Sequence, residues 1–226
     1  MSDVAGQSGA GKPVEEGTRE RLIQAAGEEF ACRGFRDATV RDICARAGAN
    51  LAAVNYHFGD KDGLYQAVMR YSHELARERY PVQLAADADA SARLRQFVRG
   101  MMSRLLDDGR PSWHGKLMSR EMVEPTPALA LVVEEAIGPM YLLLSSIVAE
   151  LLGNAGRDVN RVRLMANSII GQCLMYKHCQ PVLKLLERPS QRRDSIDELA
   201  EHIAAFSLAA IAGLKNDAGK IGKERA

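Results

Sequence analysis

An all-α fold follows from three features of the sequence. No segment of any length alternates apolar and polar residues with the period of two that a half-buried strand requires. Apolar residues recur instead at three- and four-residue spacings through most of the chain, which places them on one face of a helix. Finally, Thr39 to Phe58, TVRDICARAGANLAAVNYHF, reads as two short helices joined by a tight turn, the helix-turn-helix arrangement. The expected architecture is a three-helix amino-terminal domain built around that motif, followed by a larger helical domain.

Residues 1–17, rich in Gly, Ser and Ala with little to bury, are expected to form a flexible tail. Gly6 to Lys12 fits the pattern G-x-x-x-x-G-K of a phosphate-cradling loop. Pro13 stands where Ser or Thr is needed, however, and only five residues precede the pattern where a strand is required, so no nucleotide site is expected. A helix begins at Thr18, with Leu22, Ala26 and Phe30 on one face, and ends at Gly34, a residue suited to a left-handed cap. It packs behind the motif.

Within the motif, the Thr39 hydroxyl can cap the amides of the first helix, whose apolar face is Val40, Ile43, Cys44 and Ala47. Gly48 supplies a permissive backbone for the turn. Leu51, Val54 and Phe58 form the packing stripe of the second helix, leaving Asn50, Ala52, Ala53, Asn55, Tyr56 and His57 outward. Small residues, amides, a phenol and an imidazole are a poor solubility surface, but they suit the major groove of duplex DNA. Two ordinary helices with a wet face are the plainer alternative. Asp60 can then cap a longer helix carrying Leu64, Val68, Tyr71 and Leu75 and ending before Pro81; residues 82–90 read as a connection.

The remainder reads as helix after helix. Ala92 to Leu106 carries Leu94, Phe97, Val98, Met101, Met102 and Leu105; Asp107 to Pro111 is a turn; His114 to Val123 is short and Met-rich. Thr126 before Pro127 is a cap with proline at the first helical position, opening an apolar stretch to Leu152 in which Gly138-Pro139 predicts a kink or break. After a loop at Gly153 to Gly156, a helix runs from about Val159 to Gln180 and stops at Pro181. Ser195 and Glu198 form a capping box for a last helix reaching about Leu214, with 215–226 as a second flexible tail. The domains are therefore expected at 18–80 and 81–214.

Composition narrows the function. A chain of 226 residues with net charge +1 carries no global basic field, and residues 1–80 hold eleven basic against twelve acidic side chains. DNA affinity must be local. Between Arg33 and Lys61 the balance is five basic (Arg33, Arg36, Arg41, Arg46, Lys61) to three acidic (Asp37, Asp42, Asp60). Cys32, Cys44, Cys173 and Cys179 lack any CxxC spacing, so no metal site and no cofactor are expected; Cys32 and Cys44 are expected as small packing residues. No uninterrupted apolar run reaches bilayer length and no basic-then-apolar leader opens the chain, which points to the cytoplasm.

The run from Thr18 to Tyr71, with RGF at Arg33 to Phe35, TVRDICARAG at Thr39 to Gly48 and NYHFGDKDGLYQAV at Asn55 to Val68, resembles the amino-terminal domain of TetR-type transcriptional regulators. The runs REMVEPTPAL at Arg120 to Leu129 and GQCLMYKHCQPVL at Gly171 to Leu183 are similar to the body of the CecR-like subgroup. Asn55, Tyr56 and residues 49–53 (Ala49, Asn50, Leu51, Ala52 and Ala53) are expected to lie against base edges or nearby phosphates. The resemblance implies backbone contacts from Thr39, Arg41, His57 and Lys61. Where the family often has Thr or Ser with two aromatics, this chain has Ala53, Asn55 and Tyr56, so the bases read differ. The function implied is a ligand-responsive repressor, binding a palindromic operator as a homodimer and released by a small-molecule effector.

Two further sites are expected. The helices at about 159–180 and 195–214 are apolar on two sides, one for their own core and one for a second copy, with Leu164, Ser168, Met175, Leu199, Ile203, Phe206 and Ala210 in the dimer interface. Enclosure in a single core is the alternative. On the short helix, His114, Leu117 and Glu121 share one side, flanked by Met118 and Met122. Together with Tyr176 and His178 they are expected to line an apolar effector pocket with a few polar anchors; alternatively Glu121 pairs with Arg120 or Lys116, or caps the turn at Thr126. A helical enzyme is the rival class, but His114, His178 and His202 fall on different helices without HExxH or paired-carboxylate spacing, so no catalytic residue is expected. A scaffold binding only protein is the third reading.

Overall fold

The computed structural model describes residues 12–82, 84–85, 87–106, 113–186 and 194–224, with side chains between 17 and 215. The expected turn at Asp107 to Pro111, the Gly6 to Lys12 pattern short of its lysine, and the outermost parts of both expected tails lie outside the described residues. Among those described there is no strand. The elements are α1 (Lys12–Asp37), α2 (Val40–Ala47), α3 (Leu51–Phe58), α4 (Lys61–Arg79), α5 (Ala90–Leu106), α6 (Trp113–Val123), α7 (Ala128–Val132), a π-helical stretch (Val133–Ile137), α8 (Gly138–Leu152), a 3-10 turn (Gly153–Arg157), α9 (Val159–His178), α10 (Gln180–Leu186) and α11 (Ile196–Glu224).

Two compact units result. The first comprises Met1–Glu74 and Pro111–Val132, the second Leu75–Arg110 and Val133–Ala226. The sequence reading divided the chain once, near residue 80, and gave the Met-rich helix to the second domain. The structure gives it to the first, because Trp113, Leu117, Ala128 and Val132 are buried in one core with Leu22, Ile23, Phe30, Ile43, Val54, Leu64 and Val68. Gly27 on α1 makes this approach possible, since a Cβ there would stand 2.4 Å from the Trp113 ring. The indole N–H of Trp113 donates to Gln24 Oε1 at 3.2 Å, and Gln24 in turn donates to the Tyr71 hydroxyl at 3.0 Å.

In the second unit, Leu94, Phe97, Val98 and Met102 of α5 pack with Leu144, Ile147, Val148 and Leu152 of α8, Val162, Ala166, Ile169 and Cys173 of α9, and Ala200, Ile203, Ala204 and Ile211 of α11. Ion pairs Arg95–Glu201 at 3.1 Å and Arg99–Asp197 at 2.9 Å run along the α5–α11 seam. The Ser195–Glu198 capping box forms as expected, the Glu198 amide donating to Ser195 Oγ at 3.2 Å and the Ser195 amide to Glu198 Oε2 at 2.8 Å.

Several boundaries differ from expectation for local reasons. α1 starts six residues before Thr18, and Gly34 lies within it at φ 82 and ψ 169, a break in the same place as the expected cap. The break expected at Gly138-Pro139 is met by the π-helical stretch just before it, with Pro139 in the first turn of α8. Proline cannot donate to the preceding turn, and a π-turn accommodates the lost hydrogen bond. Pro181 lies inside the separate helix α10, and α11 continues to Glu224, past the expected end at Leu214. Leu51 is 58% exposed and Ala53 is half-buried, the reverse of their expected faces, so α3 packs through Val54, Ala53 and Phe58. Cys32 is exposed, while Cys44 and Cys173 are buried.

One helical run, Ala128–Arg157, is long and apolar enough to cross a membrane by length and composition, where the sequence reading expected none. That expectation required an uninterrupted run, and Glu134 and Glu135 interrupt this one. Leu144, Ile147, Val148 and Leu152 of the run lie in the core of the second unit.

Candidate nucleic-acid interface

The first motif helix is fixed at both ends. The Asp42 amide donates to Thr39 Oγ1 at 3.1 Å, and the Thr39 hydroxyl donates to Asp42 Oδ2 at 2.8 Å. At the other end Gly48 takes the left-handed conformation, φ 61 and ψ 39, and its N–H bonds the Cys44 carbonyl. A side chain at that φ is strained. Asn50 then caps α3, its Oδ1 accepting from the Ala53 amide at 2.9 Å, which leaves chiefly the Nδ2 amine for any partner.

Capped in this way, α3 presents Leu51, Ala52, Asn55 and Tyr56 to solvent, with His57 and Ala53 half-buried and Ala49 half-buried in the turn before it. Tyr56 is 74% exposed, an unusual placement for a large aromatic. Its ring meets His57 edge-on at 5.0 Å between centroids. Gly59 follows at φ 81, and Asp60 caps α4 by accepting from the Gly63 amide at 2.8 Å.

The local cations divide into two sets. Arg41 is exposed at the start of α2. Lys61 donates to the Arg36 carbonyl at 3.1 Å and lies over the Phe35 ring at 4.9 Å, anchored near the end of α1. Arg33 and Arg46, both counted above as part of the local excess, are held by carboxylates. Arg33 meets Glu29 at 2.9 Å and Asp42 at 3.1 Å; Arg46 meets Glu28 at 2.9 Å and Glu29 at 3.4 Å. Glu29, only 2% exposed, is the hub of this network. The sequence reading missed it, although an acidic residue inside the apolar run of α1, four before an arginine, is a signal that was available.

The stretch that folds into this capped two-helix motif also matches a known family in sequence. Residues 22–68 match the model of bacterial regulatory proteins, tetR family, and residues 90–211 match the C-terminal domain of the HTH-type transcriptional dual regulator CecR. The chain belongs to the TetR family.

CecR of Shigella flexneri is 31% identical over 173 residues, covering 72% of this chain and 76% of that protein. The regulator BetI of Stenotrophomonas maltophilia is 36% identical over 99 residues, and that match spans 49% of BetI. Among solved structures, a TetR-like regulator from Rhodococcus sp. RHA1 superposes with TM-score 0.60 at 17% identity, over 91% of this chain and all of that one. The hemolysin II regulator HlyIIR gives 0.55 at 18%, over 84% and 97%. This TetR-family protein is therefore an all-α, DNA-binding transcriptional regulator with a CecR-like carboxy-terminal domain, and its relatives are regulators, not enzymes.

The effector residues expected from sequence fall in both units. His114 and Leu117 are buried in the first unit with Met118 packed beside them, and Met122 is exposed. Glu121 is 1% exposed. It accepts from the Tyr65 hydroxyl at 2.6 Å and from the Thr126 amide and hydroxyl, each at 2.8 Å. The alternative in which Glu121 caps the turn at Thr126 is the arrangement found. Tyr176, half-buried, and His178, exposed, belong to the second unit.

Of the expected dimer residues, Leu164, Ser168, Met175, Phe206 and Ala210 are exposed on α9 and α11, and Leu199 is half-buried. Ile203 is corrected: at 1% exposure it faces its own core, because α11 turns it toward α5 and α8.

Proposed function

We propose that this regulator acts as a repressor in the cytoplasm, binding a palindromic operator as a homodimer and leaving it when a small molecule binds. The observation that carries the reading is the solvent-facing side of α3, where Leu51, Ala52, Asn55 and 74%-exposed Tyr56 stand without any lysine or glutamate among them. Apolar and amide groups of this kind suit base edges and thymine methyls, and solubility does not call for them. The exposed stripe of Leu164, Ser168 and Met175 on α9, beside Phe206 and Ala210 on α11, supports a four-helix contact between two copies. A two-fold dimer addresses half-sites about one helical turn apart or a multiple of it.

Selection of bound fragments from the host genome returns the operator, and titration with the variants then tests the reading. Tyr56→Ala and Asn55→Ala are expected to weaken the operator complex by about 1–3 kcal/mol and to relax the base preference at one position. Lys61→Ala weakens all duplexes alike, and lowers the salt slope by about one unit if Lys61 leaves the Arg36 carbonyl for a phosphate. Operator affinity that survives both Tyr56→Ala and Lys61→Ala removes α3 from the interface. The effector acts only by preferring one arrangement of the dimer over another. A screen of small apolar molecules for release of the operator identifies it.

A further inference from the structure

The contacts of Asp42 carry an inference about how firmly the head holds DNA of any sequence. Its Oδ2 accepts from the Thr39 hydroxyl at 2.8 Å and from Arg33 Nη1 at 3.1 Å. One carboxylate oxygen thus engages a hydroxyl and a guanidinium at the start of α2. Both are groups that bind phosphate well when nothing else holds them. Arg33 remains 52% exposed and Asp42 43% exposed, so the pair is at the surface and open to exchange. Arg33 Nε stands separately 2.9 Å from Glu29 Oε1, an ion pair to a side chain that is 3% exposed. Loss of Asp42 would therefore release Nη1 while leaving the arginine in place.

We propose that Asp42 is a specificity-determining residue that occupies Arg33 and the Thr39 hydroxyl in place of a DNA phosphate, and so holds down the affinity of the head for non-operator duplex. The inference rests on the reading that the Thr39 end of α2 faces the sugar–phosphate backbone. Binding to non-operator DNA is electrostatic, with a salt slope of about 0.9 per phosphate neutralised. Withholding one cation, and placing a negative charge beside it, acts on that mode in full. Operator binding draws additionally on base contacts from α3, which Asp42 does not touch. A capping role alone, in which Asp42 only closes the first turn of α2, predicts the opposite sign: its loss would loosen the helix and weaken binding.

The experiment uses the full chain and a labelled duplex of random sequence, titrated by fluorescence anisotropy across a salt series, with thermal melts confirming the fold of each variant. Asp42→Asn is expected to bind roughly threefold or more tighter near 0.1 M salt and to steepen the slope by about one unit. Arg33→Met alone leaves the native slope unchanged, and Arg33→Met combined with Asp42→Asn returns the slope to the native value. The proposal is overturned if folded Asp42→Asn binds with unchanged or shallower slope. It is equally overturned if Arg33→Met flattens the slope of the native protein, since Arg33 would then already be on phosphate. Should Asp42→Asn fail to fold, Asp42→Ser with the same Arg33 partner variant decides in its place. Absence of duplex binding by the native protein and every variant would overturn the regulator reading itself, a result distinct from binding with an unmoved slope.

Discussion

Ile203→Glu is expected to unfold the second unit, whereas Phe206→Glu, one turn further along α11, leaves it folded and yields monomers. Ile203 is 1% exposed among α5, α8 and α9 side chains, and Phe206 is 60% exposed. Removing the isoleucine costs about 2–5 kcal/mol in lost burial and a residual cavity. A carboxylate without a partner adds several kcal/mol more. Against a total stability of about 5–15 kcal/mol, the variant is largely unfolded at ambient temperature. Phe206→Glu removes an exposed ring and changes the stability of one chain by about 0.5 kcal/mol or less, while in the proposed dimer the charge would face its own copy. Urea melts and light scattering at micromolar concentration separate the two. A monomeric native protein sinks the dimer reading, and a stable, folded Ile203→Glu sinks the placement of α11.

Glu121→Ala is expected to destabilise the first unit by about 3 kcal/mol or more. It strands the buried Tyr65 hydroxyl, an orphaned group that costs about 1–3 kcal/mol, removes the acceptor of both donors of half-buried Thr126, and leaves a void where the carboxylate packed. Tyr65→Phe is milder, because it removes a donor and leaves Glu121 its bonds to Thr126. A double-mutant cycle in chemical denaturation is expected to show coupling between positions 65 and 121, and strict additivity would break the link. The pair also predicts an alkaline effect. Burial above all, then the hydrogen bond and negative charge of Glu121, push the Tyr65 phenol well above its ordinary 10.0. The folded state therefore keeps a proton that the unfolded chain gives up, so stability is full below pH 10.0 and is lost as the pH rises past it. Tyr65→Phe is expected to lose less stability over that range.

Local rules made most of the fold legible. The caps at Thr39, Asp60, Thr126, Asp158 and Ser195, and the glycines at 34 and 48, act through residues at most a few positions away, and six of these seven are legible in the sequence alone. Asp158, which accepts from the Asn160 and Arg161 amides, was not singled out, though its chemistry is equally local. The exposure of Asn55 and Tyr56 on α3 was legible for the same reason, since their positions on a short capped helix follow from its own period. What sequence could not supply was long-range partnership. Glu121 looked like a polar anchor in an apolar arc because Tyr65, fifty-six positions earlier, is invisible to periodicity. Ile203 and Phe206 stand three apart on one apolar stripe, and only the neighbours of α11 decide which faces the core. Arg33 and Arg46 entered the local cation excess because Glu28 and Glu29, which meet them, sit on α1 before the stretch counted.

The pairing of residues 111–132 with the amino-terminal unit bears on how the chain is made. Leu22, Phe30 and Leu64 leave the ribosome early, but the side chains that close over them, Trp113, Leu117 and Val132, come later, the last of them 58 residues after Glu74. At about 5–20 residues per second, the reading unit stays incomplete for about 3–12 s of synthesis. During that interval its apolar face is open to chaperones and to other nascent chains. A message truncated before residue 113 would accordingly give a product that carries the whole helix-turn-helix yet is degraded, while a slow codon run placed between 74 and 111 lengthens the exposure without altering a single residue.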